Sequence, residues 1–203
     1  MAKGIGLLLS AVALALAPPA LAQRVLAEGQ VTVSNGRHFG AVMRFDGVAD
    51  ASYDQLRTDG RQHHVIDTAG AWVEQDGKRE ALPEGFARWI LGHQFHAQLL
   101  HFDELNGGST RRVGAENGCA CDELVGRAGA PSIGIDRFVL VVDQKTGRAR
   151  KLLVERAGDK PIVASFEDWR ESGGRVLPFR VRLDDAKDIY DFRFDRVVVN
   201  DAK

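Results

Sequence analysis

The sequence predicts an α+β protein that is mainly β: one long antiparallel meander whose sheet curls, with a helix packed on the concave face. Three observations predict it. In the last third of the chain apolar residues recur at every second position, as in Leu177, Phe179, Val181 and Leu183, with Pro178, Arg180 and Arg182 between them. Tyr190, Phe192 and Phe194 repeat the pattern around Asp191 and Arg193. A period of two puts one set of side chains on each face of a sheet. One face is therefore apolar and must cover a core, a helix or a ligand. Second, turn signals follow one another at short intervals, and connections that short permit only antiparallel neighbours. Third, a single segment midway along the chain changes to helical period.

The elements follow in order. Met1 to Ala22 has one cation, Lys3, an apolar run from Ile5 to Ala17, then Pro18-Pro19 and Ala20-Leu21-Ala22. That is the order of a secretory signal peptide, with cleavage expected before Gln23. The apolar run is too short to span a bilayer comfortably. The expectation is a signal at 1–22 and a single soluble domain at 23–203, outside the cytoplasm. Gln30 to Val33 reads as a short strand ending at Asn35-Gly36. Phe39, Ala41, Met43 and Phe45 share one face of the next strand, which Asp46-Gly47 ends. Arg61 to Thr68 and Ala71 to Glu74 are further strands, and Asp76-Gly77 is a strong turn signal.

Pro83 can open a helix. Phe86, Trp89, Ile90, His93, Ala97 and Leu100 then follow in steps of three and four, predicting one helix from about Glu84 to Phe102. Asn106-Gly107-Gly108 ends it. Arg111 to Pro131 is the least regular stretch. Strands resume with Phe138 to Asp143, Lys151 to Arg156 and Ile162 to Asp168, before the two alternating strands described above. The sum is nine or ten strands. A twisted sheet of that length tends to curl, and the aromatic stripe of the helix is the natural filling for its hollow side. The chain carries 27 basic and 28 acidic residues, a balance that argues against nucleic acid as the main partner. A monomer is expected.

Certain residues resemble a known family. Phe166-Glu167-Asp168-Trp169-Arg170, Gly173-Gly174, Leu177-Pro178-Phe179-Arg180 and the closing Phe194-Asp195 and Val199-Asn200 are similar to the lipoprotein-carrier (LolA/LolB-like) superfamily of Gram-negative secreted proteins. Ala71-Trp72 with Asp76-Gly77 adds to the likeness. The resemblance covers most of residues 38 to 200. It implies a curled, incompletely closed antiparallel β-barrel with helix on its concave side. It also implies a periplasmic protein and an apolar hollow that holds an acyl chain, as on a lipoprotein. The matching residues lie in turns and strands, so no acyl-contacting position carries over. They read as structural: Trp169 should be buried beside its turn, and Pro178 should sit where no ladder donor is needed.

Several groups could carry chemistry. His93 and His96 are three apart on the predicted helix and share roughly one face, with His101 rotated away. His63 and His64 are adjacent in a strand and point to opposite faces. A zinc site would need three or four converging ligands, and no H-E-x-x-H is present. Cys119 and Cys121 form a C-x-C that could close a strained disulfide in an oxidising compartment, or stay as thiols. Ser132 lies in no G-x-S-x-G elbow. Asp103-Glu104 and Asp122-Glu123 read as solvated acids, and neither Gly107-Gly108 nor Gly173-Gly174 begins a phosphate loop. No catalytic residue, cofactor or metal is expected.

The best candidate is an apolar hollow beside the helix lined by Trp72, Phe86, Trp89, Ile90 and Phe95, with an ordinary closed core as the alternative. The function expected is a periplasmic carrier or binding module for an apolar ligand, an acyl chain or a lipoprotein. An envelope interaction module with a filled core is the second reading, and a metal-dependent or other hydrolase the third.

Overall fold

The computed structural model describes residues 23–114, 120–127, 135–156 and 158–201. The first six strands are β1 (Gln23–Val33), β2 (His38–Phe45), β3 (Ala51–Arg57), β4 (Gly60–Asp67), β5 (Gly70–Gln75) and β6 (Lys78–Ala81). Three short helices follow, α1 (Phe86–Gly92), α2 (Phe95–Leu100) and α3 (Phe102–Leu105). The remaining strands are β7 (Ser109–Val113), β8 (Cys121–Gly126), β9 (Arg137–Asp143), β10 (Ala149–Glu155), β11 (Ile162–Ser172), β12 (Arg175–Asp184) and β13 (Ile189–Asp201).

All 13 strands form one antiparallel sheet in the order β6-β5-β4-β3-β2-β1-β13-β12-β11-β10-β9-β8-β7. The first and last strands therefore lie side by side in the middle of the sheet. β1 pairs on one side with β2 and on the other with β13, the last strand, as Val25↔Val199 and Val33↔Tyr190. Among the described residues the outermost strands β6 and β7 share no ladder, so the sheet is not closed. The β1–β13 pairing carries one irregularity, between Glu28 and Gly29. Gly29 is required there, because a Cβ would lie 2.1 Å from the Arg193 carbonyl oxygen. The Asp76-Gly77 turn, with φ of 53° and 73°, has the two positive values that a type I′ hairpin turn demands.

The sheet has more strands than the nine or ten expected. β1 starts well before Gln30, and β3, β6, β7 and β8 have no counterpart in the sequence reading. Each lacks the apolar alternation. In β3 the sequence Ser52-Tyr53-Asp54-Gln55 looks polar, yet Ser52 and Asp54 are buried. Asp54 accepts hydrogen bonds from Arg44 Nη1 (2.9 Å) and Arg61 Nε (2.9 Å), and its Oδ1 lies 2.5 Å from His63 Nδ1. β6 and β7 are sheet edges held by charged pairs such as Arg112 with Glu123 and Arg111 with Asp122. An edge has no need of apolar alternation, and charge on it discourages pairing with other chains.

The single long helix is also corrected: the segment breaks at His93-Gln94 and again at His101. Glycine at 92 weakens the helix interior. The last turn of α1 tightens to three-residue bonds, His93 N–H to Ile90 O and Gln94 N–H to Leu91 O. Two glutamines then stabilise the break. Gln94 Nε2 donates to Ser52 O of β3 (2.7 Å), and Gln98 Nε2 donates back to Leu91 O (3.1 Å). Asn106 Nδ2 reaches Gln98 Oε1 (3.0 Å) and Phe102 O (2.8 Å). The helices bury Ile90, Phe95 and Phe102 against the inner face of the sheet, where Val31, Met43, Phe45, Val181, Leu152 and Phe192 are nearly inaccessible. Side chains of this size contribute about 1.5–3 kcal/mol each when removed from water. α1 touches strands far apart in the sheet order. Trp89 lies beside Tyr53 of β3 and His64 of β4, while the Arg88 guanidinium lies 5.0 Å from the Phe138 ring of β9.

Candidate functional site

Two hollows border the helices. The smaller, about 170 Å³, lies at the C-terminal end of α1. Phe39, Tyr53, Trp89, His93, Val154 and Phe192 are among its walls, and Arg37, Gln55, Asp185 and Tyr190 add polar groups. Its aromatic wall is a stack. The Tyr53 ring lies 5.0 Å from His93 and 6.1 Å from His64, at interplanar angles of 15° and 20°. Trp89 lies 4.2 Å from the His93 ring. The register explains why these groups meet: Tyr53 pairs with His64 across β3 and β4, on the inner face, while Asp54 and His63 pair on the outer one. His93 ends α1 and donates from Nδ1 to Trp89 O (2.9 Å), which leaves Nε2 as its acceptor.

These imidazoles are neutral at physiological pH. Burial holds His93 down to about 4, against an ordinary 6.5, and burial also lowers His64. His96 is likewise held at about 4 by burial, with Nε2 2.8 Å from Pro178 O and its ring edge-on to Phe194. A general base works best with a pKa near the operating pH, so these rings serve as apolar, weakly hydrogen-bonding walls. His93 and His96 do not share a face, because the helix breaks between them. Among the described residues no three His, Cys, Asp or Glu side chains converge as a metal site would require.

The larger hollow, about 580 Å³, lies under α2. Leu99 and Leu100 face Leu124 of β8, Leu140 and Val142 of β9, and Leu177 of β12, with Trp169 of β11 at the side. Thr146, Gly147 and Arg148 of the β9–β10 turn line it and are exposed, so it opens at that turn. Register builds this wall as well, since Leu124 pairs with Leu140, and Leu140 with Leu152. Trp169 is half-buried, opposite Pro178 in the β11–β12 ladder and 6.4 Å from Phe166.

The residues expected to line one hollow are dispersed. Trp89 lines the smaller cavity, with Phe86 against it at 4.8 Å. Ile90 and Phe95 are wholly inaccessible, Phe95 edge-on to Phe192 at 5.1 Å. Trp72 is half-buried on β5, where its Nε1 donates to Asp67 Oδ1 (2.9 Å) and the Arg79 guanidinium covers its ring at 4.4 Å. Cys119 lies outside the described residues; Cys121 is buried at the start of β8. Sequence reasoning missed Tyr53, the stacking role of His93, and the leucine wall of the larger hollow. The Leu99-Leu100 pair on the helical segment was the one signal of that wall.

No family model and no curated protein matches the sequence. Solved structures match its fold. A domain assigned to outer membrane lipoprotein sorting from Vibrio parahaemolyticus is 10% identical, with a TM-score of 0.58 over 89% of this chain and 86% of that one. A LolA superfamily protein from Nitrosomonas europaea is 12% identical, with a TM-score of 0.56 over the same shares, 89% and 86%. A DUF1329 family protein from Desulfovibrio piger is 10% identical, with a TM-score of 0.52 over 88% and 86%. At such identities the match establishes the fold, and the fold is that of LolA-type structures.

Proposed function

We propose that this chain is an exported, non-enzymatic binding module of the cell envelope that carries an apolar ligand, an acyl chain, in the hollow under α2. The observation that carries the reading is the leucine-walled space of about 580 Å³, within the ~300–1,000 Å³ range of small-molecule sites. The cavity beside Trp89, about 170 Å³, falls below that range and suits a single ring-sized group, like the engineered cavity of roughly 150 Å³ that holds benzene. In this reading Trp89 and Phe86 form the end wall on that side, and the sheet curls as an incompletely closed barrel around the helices. The curl is supported by α1, one helix about 10 Å across, which touches both β4 and β9, eight places apart in the sheet. Strands spaced ~4.8 Å apart can meet one helix from such positions only if the sheet bends.

Export fits the strand order. Cleavage before Gln23 keeps Val25 to Val33, and so their pairing with β13. It also fits a Cys119–Cys121 bridge, which would show as an intact mass that rises on reduction. No described helix is long and apolar enough to cross a membrane. The similar structure from Vibrio parahaemolyticus is assigned to lipoprotein sorting, which supports a lipidated partner or its acyl chains as the cargo.

Titration of the mature protein with a fluorescent fatty acid tests the reading. Saturable binding is expected, weakened about tenfold or more by Leu100→Trp, which fills the hollow from its half-exposed helical wall. Absence of saturable binding by the unaltered protein would favour the second reading, a closed envelope module. That reading has its own support in the complete burial of Ile90 and Phe95.

A further inference from the structure

The hollow under α2 has a charged neighbour. Trp169, Arg148, Thr146 and Ala149 line both it and a second recess of about 400 Å³ on the other side of the β9–β10 turn. Arg150, Lys151 and Ser165 add to the recess, together with the carboxylates Asp143 and Glu167. Both carboxylates are engaged elsewhere. Glu167 pairs with Arg180 at 3.1 Å, and Asp143 Oδ1 accepts from the Lys145 and Thr146 N–H groups and from Thr146 Oγ1. Arg148 is exposed, and among the described residues its side chain has no carboxylate partner; its guanidinium carbon lies 5.8 Å from the centre of the Trp169 ring. The apolar hollow and the cation-lined recess thus share one tryptophan and one guanidinium that has no carboxylate partner among the described residues.

Resting on the reading of the hollow as an acyl site, we propose that its ligand is a long-chain fatty acid, with the chain under α2 and the carboxylate at Arg148. Volume supports one chain. At about 30 Å³ for a water-sized group, a methylene being of similar size, 580 Å³ holds roughly twenty groups. Charge supports the head. A guanidinium presents parallel N–H donors that match a planar carboxylate in two bonds. Trp169, half-buried, gives the boundary between chain and head an amphipathic side chain of the kind that suits a wet edge.

The test compares a polyene fatty acid that fluoresces through its own chain with its methyl ester, on the mature protein and on Arg148→Met and Arg148→Lys, each first checked for an unchanged melting temperature. The acid is expected to bind the unaltered protein about tenfold tighter than the ester, a preference that shrinks with added salt because the pair lies at the surface. Arg148→Met should remove the preference by weakening the acid alone, and Arg148→Lys should keep most of it. Equal binding of acid and ester by the unaltered protein would overturn the head-group assignment and leave the hollow standing. Equal weakening of both by Arg148→Met would overturn it too, assigning Arg148 to the shape of the mouth. Binding of neither would overturn the acyl site itself, and this proposal with it.

Discussion

His93 and His96 are bases kept neutral by burial, and this makes stability depend on pH. Each has a pKa of about 4 in the folded chain and 6.5 as its ordinary value. Between those values the unfolded chain binds protons that the folded chain does not, so stability falls as pH drops from about 6.5 to about 4. Above that window both states are neutral and nothing is lost; below it the loss is complete. At about 1.4 kcal/mol per pH unit, each ring accounts for roughly 3 kcal/mol at most. Urea unfolding across the window should show a slope approaching two protons from this pair, to which His64, also lowered by burial, adds. His96→Gln, which keeps a donor for Pro178 O, should flatten it by about one. A second residue prediction concerns Ile90, which has no exposure at all. Ile90→Glu buries an unpaired charge and should cost on the order of 4 kcal/mol or more, seen as loss of a cooperative melt; near-native stability would show that Ile90 faces open space.

The helical segment shows how elements were read and misread. Of its stripe of Phe86, Trp89, Ile90, His93, Ala97 and Leu100, the residues Phe86, Ile90 and Ala97 do face the sheet. The breaks were not visible, because they depend on partners distant in sequence. Gln94 is held by the Ser52 carbonyl on β3, and His96 by the Pro178 carbonyl on β12. Gln98 joins the pieces, donating to Leu91 of α1 and accepting from Asn106 beyond α3. Gln98→Leu should therefore lower stability by about 1–3 kcal/mol, the range for stranding buried hydrogen-bonding groups. Hydrogen exchange should then rise through residues 86–106 more than in β1 and β13; a uniform rise would show that the three helices do not act as one linked unit.

At the scale of the molecule, the sheet is long, open and protected at both ends. β6 is four exposed residues, Lys78-Arg79-Glu80-Ala81, and β7 carries Arg111 and Arg112. Short charged edges of this kind resist pairing with other chains. Inside, the hollow proposed to take an acyl chain would tie ligand to stability. A ligand that binds only the folded form at a hundredfold excess over its Kd should stabilise by about 2.7 kcal/mol. Saturating fatty acid should accordingly raise the melting temperature of the mature protein, and Leu100→Trp should abolish the rise. An unchanged melting temperature in the presence of the acid would count against the hollow as a site.

What could be read from residues alone was local. Period-two alternation in Leu177 to Leu183 and Tyr190 to Phe194 shows directly which side of β12 and β13 is buried, since alternate side chains must part across a pleat. Turn residues such as Asp76-Gly77 mark hairpins because few residues accept positive φ. The mainly-β antiparallel class follows from those two facts. What tertiary structure alone decided was non-local. The ladder joining β1 to β13 brings the first and last strands together, and no residue in Gln23 to Val33 announces its partner. β3 and β7 carry charged partners across the sheet, Asp54 with Arg44 and Arg61, and Arg112 with Glu123, that nothing within those segments announces. The site belongs to this second kind. Leu124, Leu140 and Leu177 become one wall only once three strands are in register and α2 lies over them. Trp89 and Phe95, both expected to line one hollow, part between cavity and core because the helix breaks at His93. A hollow is space left between elements, and its volume depends on how far apart packing holds them, which no single segment encodes.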